Sequence, residues 1–131
     1  MDKTCRYLTK AEIIKINKEM ITKFGGQHYL RNPESLTHML EEVQGFLFGE
    51  ELYPGLFNKA SFLLERIICG HFFFDGNKRT GVEACKIFLE LNGYRLILNY
   101  SDIIDKSKQI STNNIDRKSL IDWLKENSKK I

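Results

Sequence analysis

The chain has 131 residues, enough for one domain with a substantial buried core and too few for two. Hydrophobic residues make up 42% of it and charged residues 28%, which excludes a disordered chain and is typical of soluble globular proteins. The net charge is only +3, and lysines and arginines are spread among acids along the chain, apart from Lys129-Lys130 at its end, so no basic stripe indicates direct binding to nucleic acid. We expect a single domain over residues 1–131.

Cysteine usage and hydropathy together predict a cytoplasmic protein. The chain has three cysteines, an odd number, and their spacing is not that of metal ligands: Cys5, Cys69 and Cys85. The last two lie in apolar helical patterns, where a reduced cysteine behaves as a small hydrophobe. The most apolar stretch, residues 60–74, is interrupted by charged side chains and does not read as a membrane span. The first residues lack the features of a secretory signal, and no membrane partner is expected.

Two helices are predicted in the first third of the chain. Thr9-Lys10-Ala11-Glu12 has the form of a capping box, and Gly25-Gly26 ends the helix that follows it. Asn32 is predicted to cap the second helix, with Pro33 in its first turn. The apolar spacing predicts these buried positions: Ile13, Ile14, Ile16, Met20 and Ile21 in the first helix, and Leu36, Met39, Leu40 and Val43 in the second.

The segment from Gly45 to Gly55 has a different pattern. Glycines and a Pro-Gly pair interrupt an aromatic run, which predicts an extended flap or a short hairpin. A third helix is expected from about Leu56 to Cys69, and it is apolar on nearly every side, which predicts a central position.

The second half of the chain contains three more predicted helices. The fourth begins near Asn77 and ends before Asn92-Gly93, and a short extended stretch covers residues 94–98. Ser101 is predicted to cap the fifth helix and Asp116 the sixth. The predicted class is all-α, a bundle of about six helices around a buried central pair, with strands only in the flap and near residue 94.

The connection between the third and fourth helices is suited to binding an anion. Gly76 lacks a Cβ, so the backbone can turn sharply there and an anion can approach its amide. The first amides of the fourth helix have no intrahelical partners and lie at the positive end of its dipole. Lys78 and Arg79 add positive charge at the same place.

Two further side chains in this connection suggest chemistry on a phosphate. Asp75 supplies a carboxylate of the kind that holds Mg²⁺ beside phosphate groups. His71 has an unperturbed pKa near neutrality and is suited to accept a proton from an attacking hydroxyl. Taken singly, these residues have ordinary structural explanations as a hydrogen-bonding histidine, a helix cap, a turn glycine and solvated cations. Their combination within nine residues favours an active site.

The string from His71 to Arg79 resembles the Fic/Doc family signature, which is histidine-x-phenylalanine-x-acid, then glycine or alanine, asparagine, glycine or lysine, and arginine. Every specified position is filled, by His71, Phe73, Asp75, Gly76, Asn77, Lys78 and Arg79. The rest of the chain is similar to the Doc (death-on-curing) toxin subgroup at these places, in order: Phe24-Gly25-Gly26, Leu52-Tyr53-Pro54, Arg79-Thr80 and residues 88–94.

This resemblance implies a Fic/Doc-like fold and the transfer of part of a nucleotide to a protein hydroxyl, with ATP as co-substrate and Mg²⁺ as cofactor. It implies the following roles: His71 as general base, Asp75 as Mg²⁺ ligand, Gly76, Asn77 and Thr80 in phosphate binding, Lys78 and Arg79 in phosphate binding and catalysis, Phe73 as structural anchor, and Leu52 and Tyr53 in a flap that aligns the target by main-chain pairing.

Position 78 bears on which phosphate is transferred. Family members that transfer AMP usually have glycine there, whereas Doc members have lysine and are thought to present the γ-phosphate. Val82 agrees with the second type, because AMP-transferring members commonly have arginine at that place. Gly76 does not support the Doc type, since the best-known Doc sequences have alanine at this position. We expect a protein kinase activity on Ser or Thr, with AMP transfer as the alternative.

The resemblance also implies partners. The inhibitory Ser/Thr-x-x-x-Glu-Gly/Asn pattern of many Fic proteins is not matched, since Glu126-Asn127 is preceded by Asp122 at the Ser/Thr position. A separate Phd-like antitoxin acting in trans is therefore expected, and a translation factor such as elongation factor Tu is the expected target.

Two alternatives belong to other functional classes, namely a non-catalytic binding module and a toxin that acts on RNA. His28 and His38 lack any motif context and are expected at the surface.

Overall fold

A computed structural model of the chain describes residues 4–131, and helices dominate this part. The helices are α1 Lys10–Phe24, α2 Pro33–Val43, α3 Leu56–Cys69, α4 Asn77–Leu91, α5 Tyr100–Ser111 and α6 Arg117–Glu126. The strands are β1 Phe46–Leu47, β2 Glu50–Glu51, β3 Tyr94–Leu96 and β4 Ser128–Lys130. The predicted class, the number of helices and the hairpin between α2 and α3 are confirmed. No helix among residues 4–131 is both long and apolar enough to cross a membrane.

Helices α3 and α4 form the centre of the bundle and share the largest interface between any two elements. Helix α3 also contacts α2, α5 and α6, as its nearly uniform apolar surface predicts. The two central helices approach closely at Gly81, where an added Cβ would lie 2.9 Å from Ile68 Cγ1 and 3.3 Å from the Leu64 carbonyl oxygen. This packing fixes the end of α3 relative to the beginning of α4.

Helix caps were predicted with mixed success. The α1 capping box is confirmed: the Glu12 amide donates to Thr9 Oγ1 (3.1 Å) and the Thr9 amide to Glu12 Oε1 (2.7 Å). Asp116 caps α6 as predicted, accepting from the Ser119 amide at 2.7 Å. The prediction for α5 was wrong: its cap is Asn99, with extended backbone, and Ser101 lies in the first turn.

Asn32 lies at the predicted start of α2, but its side chain makes no capping bond. Its Nδ2 instead donates to the carbonyl oxygen of His71, at 2.6 Å. A residue that looks like an ordinary cap in the sequence therefore links the beginning of α2 to the connection between α3 and α4.

Strand β4 was not predicted. It pairs with β3 in antiparallel register, with Tyr94 opposite Lys130 and Leu96 opposite Ser128. Its three residues, a serine and two lysines, show neither β propensity nor a clear alternation, so the strand depends on its partner and not on its own sequence.

The cysteines differ from one another in burial. Cys85 is fully buried, and burial raises the pKa of its thiol to about 12, so the thiol stays protonated at neutral pH. Cys69 lies in an apolar pattern as well, but it is exposed, because it is the last residue of α3 and lies beyond the packed part of the helix.

Candidate active site

The loop between α3 and α4 is anchored by its own phenylalanines and by backbone pairing. Phe72 and Phe73 are 1% and 0% exposed, whereas Phe74 is half exposed. The Arg31 amide donates to the Phe72 carbonyl oxygen at 2.7 Å, and the Phe74 amide donates to the Tyr29 carbonyl oxygen at 2.9 Å. The loop is therefore held in an extended form against the segment that precedes α2.

Asn77 closes this loop on itself. Its Oδ1 accepts from the Phe73 amide (3.1 Å) and its Nδ2 donates to the Phe73 carbonyl oxygen (2.8 Å). Both functional groups of the carboxamide are thus used within the protein. If Asn77 contributes to anion binding, it does so only through its backbone amide.

Asn17 links the loop to α1. It is 0% exposed, and its Nδ2 donates to the Asp75 carbonyl oxygen (2.9 Å) and to Thr80 Oγ1 (3.0 Å). Its Oδ1 lies 2.7 Å from His28 Nδ1, and because a carboxamide oxygen only accepts, that histidine nitrogen is the donor. His28 is therefore half-buried, and not at the surface as predicted, and it also stacks on Phe73.

Sequence reasoning did not single out Asn17. A signal was available, because residue 17 follows Ile13 by four positions and precedes Met20 by three, which places it on the buried face of α1. A buried carboxamide on an apolar face requires polar partners. Nothing in the sequence identifies those partners as the loop before α4.

Thr80 differs from its predicted position. It is 0% exposed, its amide donates to the Gly76 carbonyl oxygen at 2.8 Å, and its hydroxyl accepts from Asn17. The structure therefore does not bring Thr80 to the cavity described below. Its side chain fixes the first turn of α4 to α1.

The beginning of α4 presents free backbone donors. Gly76 has left-handed backbone angles, φ 78° and ψ 16°, and no side chain caps the helix. Within residues 4–131, no acceptor is bonded to the amides of residues 77, 78 and 79. Three unpaired donors at the positive end of a helix dipole attract an anion.

A cavity of about 480 Å³ brings most of the predicted residues together. Its wall consists of Ile68, Cys69, His71, Phe74, Asp75, Gly76, Asn77, Lys78, Arg79 and Ser111. His71 is exposed to solvent and has φ 53°, a sparsely populated region for a residue other than glycine. A larger cavity of about 760 Å³ lies between Glu51, Lys59 and Tyr94, and it contains none of the predicted catalytic residues.

Asp75 is only partly engaged by the protein. Its Oδ2 accepts from the Gln27 amide at 2.8 Å, and no donor within residues 4–131 is bonded to Oδ1. No group of three or more His, Cys, Asp or Glu side chains suited to a metal ion exists in this described part of the chain. A cation at Asp75 would therefore share its coordination with ligand oxygens and water, as Mg²⁺ commonly does.

Arg79 is held at the cavity by an aromatic residue. Its guanidinium carbon lies 4.0 Å from the centre of the Phe24 ring, a cation–π contact, and Phe24 itself is half exposed. Stacking on one face leaves the edge of the guanidinium free to donate to an anion. Lys78, by contrast, is exposed and forms no salt bridge among the described residues.

Tyr53 is an anchor of the flap. Its hydroxyl donates to Glu42 Oε2 at 2.8 Å, and its ring lies 4.1 Å from that of Phe62. Burial, and then the hydrogen bond to the Glu42 carboxylate, raise the pKa of the Tyr53 hydroxyl. Leu52 is exposed, and its amide donates to the Gly45 carbonyl oxygen. Neither flap residue lines the cavity that contains His71.

A buried lysine holds the other side of the flap. Lys59 is 3% exposed, and its Nζ donates to Glu51 Oε1 at 2.9 Å and to the Tyr53 carbonyl oxygen at 2.5 Å. Its burial could not be predicted from the sequence, because a lysine in an amphipathic pattern is normally exposed. Its two partners are both in the flap, so the flap has a fixed attachment to α3.

Comparison with known proteins agrees with this geometry. Residues 7–89 match the model of the Fic/DOC family, and this range includes the whole loop before α4. The chain is 32% identical over 87 residues to Toxin Doc of Mycolicibacterium smegmatis, covering 66% of this chain and 65% of that protein, just under two thirds of its length. It is 27% identical over 120 residues to Protein kinase doc of Escherichia phage P1, covering 92% and 94% of the two chains.

Proposed function

The chain belongs to the Fic/DOC family, and from this premise we propose that it is a Doc-type toxin, a protein kinase that transfers the γ-phosphate of ATP to a Ser or Thr hydroxyl of a target protein. The observation that carries the proposal is the shared cavity, in which His71 lies with the uncapped beginning of α4. The name of one relative, Protein kinase doc, supports the same reaction.

In the proposed complex, the free amides of residues 77–79 and the side chains of Lys78 and Arg79 bind the phosphate chain. Opposite charge and fixed donors stabilise the charge that develops on the transferred group. The unpaired Oδ1 of Asp75 is suited to hold Mg²⁺, which supplies further neutralisation of the phosphates. The backbone of the loop is held before substrate binds, because Asn17 bonds to the Asp75 carbonyl oxygen and Asn77 to the Phe73 backbone.

His71 is the proposed general base. As the Ser or Thr oxygen bonds to the γ-phosphorus, the bond between that phosphorus and the β–γ bridging oxygen breaks, and ADP leaves. The hydroxyl proton passes to the imidazole of His71. The exposed position of His71 suits this role, because the hydroxyl belongs to a second protein that has to reach it.

ATP labelled at either the α- or the γ-phosphate distinguishes the two possible reactions. We expect the target to carry label only from the γ-phosphate. Lys78→Gly is expected to lower this labelling about tenfold or more, because a hydrogen bond to a charged group contributes roughly 1.5–3 kcal/mol. The measurement is autoradiography after gel electrophoresis. Label from the α-phosphate would instead establish AMP transfer.

The aromatic support of Arg79 is open to a separate test. Phe24→Ala is expected to weaken ATP binding about two- to fivefold, since an exposed cation–π contact contributes roughly 0.5–1 kcal/mol. Isothermal titration calorimetry measures this affinity. Tyr100→Ala is the matched control, because Tyr100 is exposed and does not line the cavity. If the two variants bind ATP with equal affinity, Phe24 does not contribute to ATP binding.

We further propose that the toxin acts in the cytoplasm and is inhibited in trans by a Phd-like antitoxin. Glu126, the nearest match to an internal inhibitory glutamate, is exposed at the end of α6 and does not line the cavity. Elongation factor Tu is the first target to test. Purified elongation factor Tu incubated with the protein and labelled ATP, with and without the antitoxin, tests both partners.

A further inference from the structure

The segment between α1 and α2 comes close to the Asp75 side chain at Gly26. A Cβ added to Gly26 would lie 3.1 Å from Asp75 Cβ and 3.2 Å from Asp75 Oδ2, which is tighter than an ordinary van der Waals contact. Gly26 has φ 113°, a value that residues with a side chain rarely adopt. Glycine is therefore required here both by the backbone conformation and by the space that the carboxylate occupies.

The two residues after Gly26 are bonded to Asp75, one directly and one through Asn17. The Gln27 amide donates to Asp75 Oδ2 at 2.8 Å. The His28 imidazole donates from Nδ1 to Asn17 Oδ1 at 2.7 Å, and Asn17 Nδ2 donates to the Asp75 carbonyl oxygen at 2.9 Å. Residues 26–28 thus act on both the carboxylate and the backbone of Asp75.

His28 attaches this segment to the bundle. Gly25 and Gly26 offer no side chain, and the Gln27 side chain has no hydrogen-bond partner within residues 4–131. The His28 ring is bonded to Asn17 and also stacks on the buried Phe73, with 6.4 Å between the ring centres. Loss of the His28 bond should therefore loosen the Gln27 amide, and with it the orientation of the Asp75 carboxylate.

The bond to Oδ2 determines which carboxylate oxygen faces a ligand. Oδ2 is occupied by the Gln27 amide, whereas no donor within residues 4–131 is bonded to Oδ1. A carboxylate held at one oxygen presents the other in a fixed direction, and groups that orient a metal ligand in this way commonly control metal affinity. Asp75 lines the cavity that contains His71 but residues 26–28 do not, so these residues act on the cavity through Asp75.

We propose that Gly26 and His28 are positioning residues that direct Oδ1 of Asp75 toward the divalent cation bound with ATP. The inference rests on the part of the proposed function that assigns Mg²⁺ to Asp75. A purely structural role of Gly26 and His28 predicts a loss of stability alone. A positioning role predicts weaker binding of ATP when Mg²⁺ is present and unchanged binding when it is absent.

Gly26→Ala and Gly25→Ala are a matched pair. Both glycines have positive φ, 113° and 90°, but a Cβ added to Gly25 meets nothing within 4 Å. Both substitutions strain the backbone, and only the first displaces the carboxylate. Calorimetry measures the Kd for ATP in Mg²⁺ and in EDTA. We expect Gly26→Ala to raise the Kd in Mg²⁺ about tenfold, as is common when the support of a metal ligand is disturbed, and to leave the Kd in EDTA unchanged. Gly25→Ala should change neither value.

Two substitutions of His28 differ in one donor. His28→Phe keeps an aromatic ring against Phe73 but cannot donate to Asn17, whereas His28→Asn keeps an N–H donor at the same distance along the side chain as Nδ1. We expect His28→Phe to raise the Kd for ATP in Mg²⁺ about tenfold, as Gly26→Ala does, and His28→Asn to restore most of the affinity. Urea unfolding of each variant shows that folded proteins are being compared.

The inference is overturned if Gly26→Ala and Gly25→Ala bind ATP alike in Mg²⁺. It is also overturned if Gly26→Ala weakens binding equally in Mg²⁺ and in EDTA, since the segment would then act on the whole loop and not on the carboxylate. A wild type that binds ATP equally well in both solutions contradicts the role of Asp75 and this inference together. A wild type that requires Mg²⁺ for tight ATP binding but phosphorylates no protein contradicts the proposed kinase activity alone.

Discussion

Replacement of His71 by alanine is expected to lower the rate of phosphate transfer about a hundred- to ten-thousand-fold, the usual contribution of a positioned general base. The fold should persist, because the His71 side chain is exposed and the bond from Asn32 reaches its backbone carbonyl. Transfer is measured as initial rates with γ-labelled ATP and the target protein. Binding of ATP, measured by calorimetry, should change little, since phosphate binding is assigned to other groups.

His38→Ala is the matched control for this variant. His38 is another exposed histidine, and it lies on α2 and does not line the cavity. Its replacement should leave the transfer rate unchanged. A His71→Ala protein that retains full activity would show that the proton leaves by another route and would remove His71 from the proposed mechanism.

Asn17→Leu is expected to have the largest effect on stability. Leucine has a similar size but offers no partner to the Asp75 carbonyl, the Thr80 hydroxyl or the His28 ring, so one buried and two part-buried hydrogen bonds are lost. An unsatisfied buried polar group costs roughly 1–3 kcal/mol, so the free energy of unfolding should fall by about 2–5 kcal/mol. Urea denaturation measures this change.

The same substitution should also lower phosphate transfer under conditions in which the variant remains folded, because the loop before α4 loses its attachment to α1. Asn114→Leu is the control, since Asn114 is exposed and its side chain bonds only to Thr112. A surface change of this kind should stay within about 0.5 kcal/mol. Equal stability of the two variants would mean that the phenylalanines and Asn77 suffice to hold the loop.

Sequence reasoning was most successful where the signal is local. The capping box at Thr9 and the cap at Asp116 depend on residues three positions apart, and both are confirmed. The hairpin follows from glycines and aromatic residues within one short segment, and the loop before α4 lies within the residues that match the family model. In each case the partners that form the structure are close together in the chain.

Predictions failed where the partner lies far away in the sequence. Asn32 and Thr80 have sequence contexts typical of a cap and a phosphate ligand, but their side chains bond to His71 and Asn17, 39 and 63 residues away. Lys59 is buried, and the partners of its ammonium group are Glu51 and the Tyr53 carbonyl oxygen, on a different element of the chain. Strand β4 exists through its pairing with β3. These features depend on tertiary packing, which overrides local propensity.

The attachment of the hairpin has a consequence for evolution. Only the base of the hairpin is tied to the bundle, through Glu42, Lys59 and Tyr53, whereas residues 46–50 are exposed and line no part of the cavity. Mutations at residues 46–50 can therefore accumulate without disturbing the loop before α4. Residues 46–50 are therefore free to diverge between relatives while the loop before α4 is retained.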